Sequence, residues 1–228
     1  FTRSDLDMMT VNSDGSVSSS TGHVEDSNAT HPRSYWQAQW TPQEPEEETP
    51  DYPVTIFVSR EGYFKKITPR SLRMSGEQRF KEGDGLRFSC ETTNAAELLV
   101  FSDRCQVYKA KCFEFEDSKA SVLGDFLPAK LGMEEGESVV GLCLPGDYRG
   151  SLLFFFENGK VAKVDLASYD TKSNRRRLTG AYSDRSELRG IFLLQEDVQL
   201  VLYSTEGRAL ILQTAQLAPM STRTTLGV

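Results

Sequence analysis

The sequence predicts an all-β, propeller-like array of four-stranded blades, chiefly because a hairpin unit recurs four times between residues 54 and 217. Each copy is an apolar strand, a short polar turn and a second strand with Lys or Arg, as in VTIFVSREGYFKKI and SLLFFFENGKVAKV. The turn positions Gly62, Cys105, Gly159 and Gly207 are spaced by 43, 54 and 48 residues. Repeats of this length are typical of solenoids, propellers and arrays, since one hairpin cannot bury its apolar face alone.

A second element precedes each later hairpin and supports the same fold. It is an acidic turn followed by an apolar strand, seen in KEGDGLRFSCE at 81–91, EEGESVVGLCL at 134–144 and RSELRGIFLL at 185–194. The alternation of Leu86 and Phe88 with polar residues fits a half-buried strand. With a further strand from the connecting stretch, each unit reaches four strands, which is the size of a propeller blade. We therefore expect about four blade equivalents, and no helix longer than a turn or two.

Composition divides the chain into two parts. Residues 1–52 hold ten acids against Arg3 and Arg33, and are rich in Ser and Pro, so we predict a largely irregular leader or linker. Residues 53–228 hold 24 Lys or Arg against 23 Asp or Glu, and we predict that they form the blade array. The overall charge of −7 therefore arises from the leader. Whether the remaining residues could bind an anionic partner depends on whether their cations share one surface.

The residues that usually carry chemistry are sparse. Residues 53–228 contain no histidine, and no phosphate-binding loop or hydrolase motif is present, so we predict no catalytic site in this chain. The four cysteines have no CxxC spacing and are interpreted as reduced packing residues of an intracellular protein; we predict no metal and no cofactor. No secretory signal or apolar run of membrane-spanning length occurs.

The Lys and Arg residues gather in the connecting stretches and the second strands of the hairpins, and we call them the edge cations. The stretches contribute Arg70, Arg73, Arg79, Lys81, Lys119, Lys130, Lys172, Arg175, Arg176, Arg177, Arg185 and Arg223. The second strands contribute Lys65, Lys66, Lys109, Lys111, Lys160 and Lys163. Equivalent places in successive blades fall on one edge, which predicts a positive arc. The alternative is ordinary solvated loops, since strand ends are often basic.

The order of several motifs resembles one known family. A GYFKKI hairpin, a stretch with SGEQRFKEGD, then LLVFSDRCQVYKAK and GESVVGL resemble the carboxy-terminal domain of the A subunit of bacterial type IIA topoisomerases, DNA gyrase and topoisomerase IV. The resemblance runs from about Val54 to Val228. It implies a β-pinwheel, a propeller-like disc of about five or six blades whose basic perimeter bends duplex DNA. With about four blade equivalents visible, we expect a truncated or shortened wheel.

One stretch departs from the family pattern. Gyrases carry a basic, glycine-rich box, QRRGGKG, and the matching stretch here is QRFKEGDG at 78–85. Gln78, Arg79 and Lys81 remain, but Glu82 and Asp84 intrude, and acids beside a phosphate path oppose the neutralisation that drives binding. Chiral wrapping of DNA is therefore in doubt, and the choice between a gyrase-like and a topoisomerase-IV-like role stays open.

The resemblance also implies a function and partners. It implies that the edge cations, with Gln78, contact double-stranded DNA without reading its sequence, and that the strand-cleaving tyrosine lies in an upstream domain absent here. The full protein would be an ATP-dependent type II topoisomerase, cytoplasmic and nucleoid-associated, assembled with the ATPase B subunit together with a second A subunit, with no membrane contact. The alternative is a propeller-type module for protein–protein interaction, which salt-sensitive duplex binding would distinguish.

Overall fold

The computed structural model describes residues 9–11, 17–19, 49–171 and 175–228. The chain divides into two compact units, Phe1–Glu48 and Thr49–Val228. In the first unit, β1 (Met9–Val11) pairs antiparallel with β2 (Val17–Ser19), and the rest of the predicted irregular leader up to residue 48 lies outside the described residues.

The second unit is built almost entirely from short strands. They are β3 (Pro53–Ser59), β4 (Tyr63–Ile67), β5 (Leu86–Thr93), β6 (Glu97–Ser102), β7 (Gln106–Lys111), β8 (Asp125–Phe126), β9 (Val139–Cys143), β10 (Ser151–Phe156), β11 (Val161–Asp165), β12 (Arg177–Thr179), β13 (Leu188–Leu194), β14 (Gln199–Tyr203) and β15 (Ala209–Gln213). Two short α-helices, α1 (Pro69–Met74) and α2 (Leu127–Lys130), lie between them, and neither is long or apolar enough to cross a membrane.

The strands form blades that interlock along the chain. Blade 1 has the order β5-β3-β4-β8, blade 2 the order β9-β6-β7-β12, and blade 3 the order β13-β10-β11, while β14 and β15 form hairpin 4. The fourth strand of a blade comes from beyond the next hairpin, since β8 follows β7 yet pairs with β4, and β12 follows β11 yet pairs with β7. In blade 3 this place is taken by Val228, which exchanges backbone bonds of 2.9 and 3.0 Å with Val161.

The turn positions of the four hairpins share a left-handed backbone conformation. Gly62, Gly159 and Gly207 have φ angles of 92°, 79° and 77°, a region in which a side chain with a Cβ is disfavoured. Cys105 occupies the same place in the second hairpin with a φ of 54°. The odd cysteine of the repeat therefore adopts the left-handed conformation of its glycine counterparts.

The acidic turns and following strands form the second repeated element. β5, β9 and β13 each pair with the first strand of a hairpin, and each pairing shifts register just before the turn. A backbone bond closes each unit at the same place, from Arg60 N to Gly85 O, Asp103 N to Ser138 O, and Glu157 N to Glu187 O, at 2.8 to 3.0 Å. These bonds fix which residues of one blade correspond to which residues of the next.

The core lies between successive blades. Leu98 and Val100 of β6 pack in the cluster with blade 1, whereas Leu99 and Phe101 pack in the cluster with blade 3, and all four are fully buried. A strand in a blade that is covered on both faces therefore has a continuous run of apolar residues in its sequence. Hairpin 4 packs on blade 3 through residues such as Leu200.

Candidate nucleic-acid interface

Three of the edge cations are equivalent to one another and face inward. Lys66, Lys109 and Lys163 each lie four residues after the turn position, and we call them the inter-blade lysines. Lys66 is 2 % exposed, and its Nζ lies 2.6 Å from Asn94 Oδ1 and 3.2 Å from Asp117 Oδ1. The contact joins blade 1 to the segment that leads into blade 2.

Lys163 makes the corresponding contact, whereas Lys109 pairs with an acid of its own blade and lies over a ring in the segment that leads into blade 3. Lys163 Nζ lies 2.8 Å from Asp197 Oδ1 and 3.1 Å from Thr214 O. Lys109 Nζ lies 3.6 Å from Glu97 Oε1 and 5.0 Å from the centre of the Tyr148 ring. Since their ammonium groups bind protein oxygens, the structure corrects the placement of all three on the basic edge.

Two further edge cations are engaged within the fold. The Nζ of Lys65 donates to Arg79 O at 3.1 Å and to Ala120 O at 3.2 Å, and burial lowers the pKa of this lysine. The guanidinium of Arg223 donates to Ser168 O at 2.9 Å and to Gly180 O at 3.2 Å. Lys65 holds two loops against β4, and Arg223 joins the segments at Ser168 and Gly180, so the expectation that they line the edge is also corrected.

A first group of exposed cations surrounds the second strand of blade 1. Thr68 caps the N-terminus of α1, since its hydroxyl accepts a bond from Ser71 N, and the helix carries Arg70 and Arg73. The backbone of Arg79 donates to Ala120 O at 2.9 Å, which sets Arg79 beside Lys119. Among the described residues, no carboxylate oxygen lies within 4.0 Å of these four cations, the blade 1 cations.

A second group lies along the edge of blade 2 where β12 pairs with β7. Arg176 lines two clefts of about 640 and 250 Å³, which it shares with Lys111 and with Lys130 respectively. Its Nη1 also lies 2.7 Å from Glu114 Oε2. We call Lys111, Lys130, Arg175 and Arg176 the blade 2 cations. The neighbouring Arg177 is exposed but lies 3.8 Å from Glu134, and Lys172 lies outside the described residues.

The remaining edge cations lie near the hairpin turns. Lys81 lies 3.6 Å from Glu61 and close to the Tyr63 ring. Lys160 and Arg185 line a cleft of about 1050 Å³ together with Arg104, which the sequence interpretation missed. Arg104 was missed because it belongs to a turn, whereas the edge cations lie in second strands and connecting stretches. The sequence does distinguish it, since the other hairpin turns carry Glu or Asn at this position.

The stretch that departs from the gyrase pattern has a structural acid within it. Asp84 Oδ1 accepts bonds from Gly85 N at 2.7 Å and from Glu61 N at 3.1 Å. Burial tends to raise the pKa of Asp84, but the hydrogen bonds from Ser59 and these amides outweigh it and lower the pKa. Asp84 therefore shapes the turn, whereas Glu82 is exposed; Gln78 is half-buried and bonds Gly76 O at 3.3 Å.

The buried side chains of the described region include those of two tyrosines and of two cysteines, Cys112 and Cys143. Tyr169 and Tyr182 are buried and donate to Ala181 O and Ser102 O, both at 2.6 Å, and burial raises the pKa of each phenol. The four cysteines form no disulfide, and burial raises the pKa of Cys143 to about 12. Within the described residues, no group of three or more His, Cys, Asp or Glu could hold a metal ion.

Comparison with known proteins points in the same direction as the fold. No family model matches the chain. Over 179 residues the chain is 22 % identical to the A subunit of DNA topoisomerase 4 from Staphylococcus aureus, a match that covers 76 % of this chain and 22 % of that protein. The chain thus spans about a fifth of the length of the curated relatives that it matches.

Three solved structures share the fold. The C-terminal domain of DNA topoisomerase IV has a TM-score of 0.67 at 22 % identity, covering 79 % of this chain and 57 % of that one. The E. coli ParC C-terminal domain has a TM-score of 0.57 at 16 % identity, covering 75 % and 68 %. The DNA gyrase A C-terminal domain has a TM-score of 0.53 at 14 % identity, covering 78 % and 59 %. The chain has the β-pinwheel fold, and the predicted resemblance to the C-terminal domain of a type IIA topoisomerase A subunit is confirmed.

Proposed function

We propose that residues 53–228 bind and bend duplex DNA, without reading its sequence, as the C-terminal domain of a type IIA topoisomerase A subunit. The observation that carries the proposal is that two successive blades of a β-pinwheel present exposed cations. The blade 1 cations have no carboxylate partner among the described residues. Of the blade 2 cations, Lys111, Lys130 and Arg176 line two adjoining clefts, and Arg175 is exposed next to Arg176. Proteins of the same fold and similar sequence are topoisomerase subunits.

Bending requires cations spaced along a protein edge so that they face successive phosphates, with little contact to bases. The interlocked blades give that spacing, because Lys66 and Lys163 each tie one blade to the segment that leads into the next repeat. Neutralising about six phosphates would give a log–log salt slope of about −5. Binding would therefore depend on salt and DNA length, not on base sequence.

In the whole protein, the domain would assist the supercoiling or decatenation of DNA, and the cleavage of DNA strands would take place in another domain. We propose as partners the ATPase B subunit together with a second A subunit, and we propose a strand-cleaving tyrosine in another domain and a cytoplasmic, nucleoid-associated location. No cofactor is proposed for this chain. The buried, hydrogen-bonded state of Tyr169 and Tyr182 supports packing roles for these two phenols.

The test is duplex binding by fluorescence anisotropy over about 50 to 200 mM salt. We expect a steep salt dependence for the wild type and a loss of affinity of at least about tenfold for Arg175→Glu with Arg176→Glu. The matched control is Arg149→Glu with Arg208→Glu, which makes the same change in net charge at side chains that are 86 % and 85 % exposed. A slope near zero for the wild type would refute the proposal.

The outer face of hairpin 4 favours a second candidate, a module for protein–protein interaction. Val201 and Ile211 are cross-strand partners and are 50 % and 61 % exposed, and Tyr203 beside them is 79 % exposed. Exposed apolar patches often mark protein contacts. Under this candidate, the Arg175→Glu and Arg176→Glu variant keeps its function and the wild type shows no salt-dependent DNA binding.

A further inference from the structure

The cleft of about 1050 Å³ lies between the hairpin turns of blades 2 and 3, and we call it the turn cleft. Its lining includes Arg104 from the turn of the second hairpin, Lys160 from the third, and Arg185 from the loop before β13. Buried Phe156 and Tyr182 also line it. The cleft thus combines an apolar part with three cationic side chains.

Most of the positive charge in the turn cleft is available to a ligand. Among the described residues, no carboxylate oxygen lies within 4.0 Å of Lys160, which is exposed. The Arg185 side chain is 79 % exposed and lies 4.0 Å from Asp184, the one acid of the lining. Arg104 is held by Glu134 Oε2 and Glu135 O, both at 2.7 Å, which fixes the position of its guanidinium.

The same place between blades 1 and 2 has the opposite charge. The backbone bonds that close each turn make Glu61 the counterpart of Arg104, and residues 134–137 the counterpart of residues 183–186. The corresponding charged positions there are Glu61, Arg104, Glu134, Glu135 and Glu137. At these equivalent positions, four carboxylates and one cation at the first junction compare with three cations and one carboxylate at the second. Lys81 and Arg177 also lie at the first junction, but as ion-pair partners of Glu61 and Glu134.

This reversal within one repeat points to an anionic ligand at one junction only. We propose that the turn cleft binds the phosphate backbone of duplex DNA, with Arg104, Lys160 and Arg185 as contacts. The proposal rests on the proposed function and adds the path of the duplex, which crosses the junction between the turns of blades 2 and 3 and avoids the acidic junction between the turns of blades 1 and 2. Neutral donors such as Ser183 are available for further phosphate contacts.

The first test is the variant Lys160→Glu with Arg185→Glu, measured by anisotropy with a duplex of about 40 base pairs, which is longer than a bent site of roughly 20–30 base pairs. We expect roughly tenfold weaker binding and a salt slope smaller in magnitude by about two, since each lost phosphate contact removes about 0.9. The control is Arg149→Glu with Arg208→Glu, because Arg208 holds in hairpin 4 the position of Lys160 in its own hairpin. An effect equal to that of the control overturns the proposal.

A second test reports on the cleft without changing its charge. Cys105 lines the turn cleft and Cys90 lies on β5 of blade 1, and both thiols are half-buried. We expect saturating duplex DNA to slow alkylation of Cys105 and to leave Cys90 unchanged; equal rates at Cys105 with and without DNA contradict the proposal. If wild type binds DNA but both tests fail, only the turn cleft is refuted. If wild type binds no DNA, the proposed function fails as well.

Discussion

The ammonium group of Lys66 lies 2.6 Å from the amide oxygen of Asn94, so the second strand of blade 1 is tied to the segment that leads into blade 2. Lys163 repeats the contact between blade 3 and hairpin 4 through Asp197 at 2.8 Å. In hairpin 4 the equivalent residue is Ile211, which is 61 % exposed. The lysine of this position therefore belongs to blades that have a successor packed against them.

Replacing Lys66 by Met should lower the free energy of unfolding by about 1–3 kcal/mol, because Asn94 Oδ1 would lose a partner in a buried position. Urea unfolding followed by circular dichroism measures the change. Lys119→Met is the control, since Lys119 is exposed, and it should change stability by less than about 0.5 kcal/mol. Equal stability of the two variants would contradict a structural role for Lys66.

The sequence predicts the blade array well because turns and apolar runs repeat at regular spacing, as at Gly62, Gly159 and Gly207. It predicts the edge less well, for a physical reason. Alternation identifies an outer face only when one face of a strand meets water, and Leu98 to Phe101 are buried on both faces. A lysine within such a blade therefore looks like a surface residue until its partner is seen. The returning strand β8 has only two residues and gives no periodic signal.

Asp84 should contribute stability only while it is ionised. Because its pKa in the folded protein lies below the ordinary 3.8, this contribution is present above about pH 4 and is lost as pH falls through the folded-state pKa. Asp84→Asn should thus cost about 1 kcal/mol near pH 7, since bonds to a charged acceptor are the stronger ones. The difference between the variant and the wild type should shrink below pH 4, as urea unfolding at several pH values would show; a constant difference would argue against it.

Glu82 should weaken the binding of DNA, because it is an exposed acid in the stretch that contains Arg79. Glu82→Gln should strengthen duplex binding by up to about fivefold at low salt and leave stability unchanged, since exposed charges contribute at most about 1 kcal/mol. Anisotropy at low and high salt measures the gain, which should fade as salt rises. Glu196→Gln, at an exposed acid between β13 and β14, is a suitable control. No gain with Glu82→Gln would remove this stretch from the DNA path.

Cys105 should be replaceable by glycine but not by a β-branched residue. Its φ of 54° disfavours any Cβ, and a second branch adds steric strain at the turn. We expect Cys105→Val to be about 1–2 kcal/mol less stable than Cys105→Gly. Thermal unfolding of the two variants compares them directly. Equal melting temperatures would show that the turn relaxes to another conformation.

Bending without chiral wrapping is the expected topological effect on DNA. A shift of one sign requires the duplex to follow a continuous cationic path around the wheel. Acids interrupt this path at the junction between the turns of blades 1 and 2, where Glu61, Glu134 and Glu135 lie. Ligation of nicked circular DNA with the purified chain, with binding confirmed by gel retardation in the same samples, measures the change in linking number. We expect retardation and no consistent shift, which favours a topoisomerase-IV-like role. A shift of constant sign would show wrapping, and would mean that the exposed Glu82 in the divergent box does not prevent a gyrase-like role.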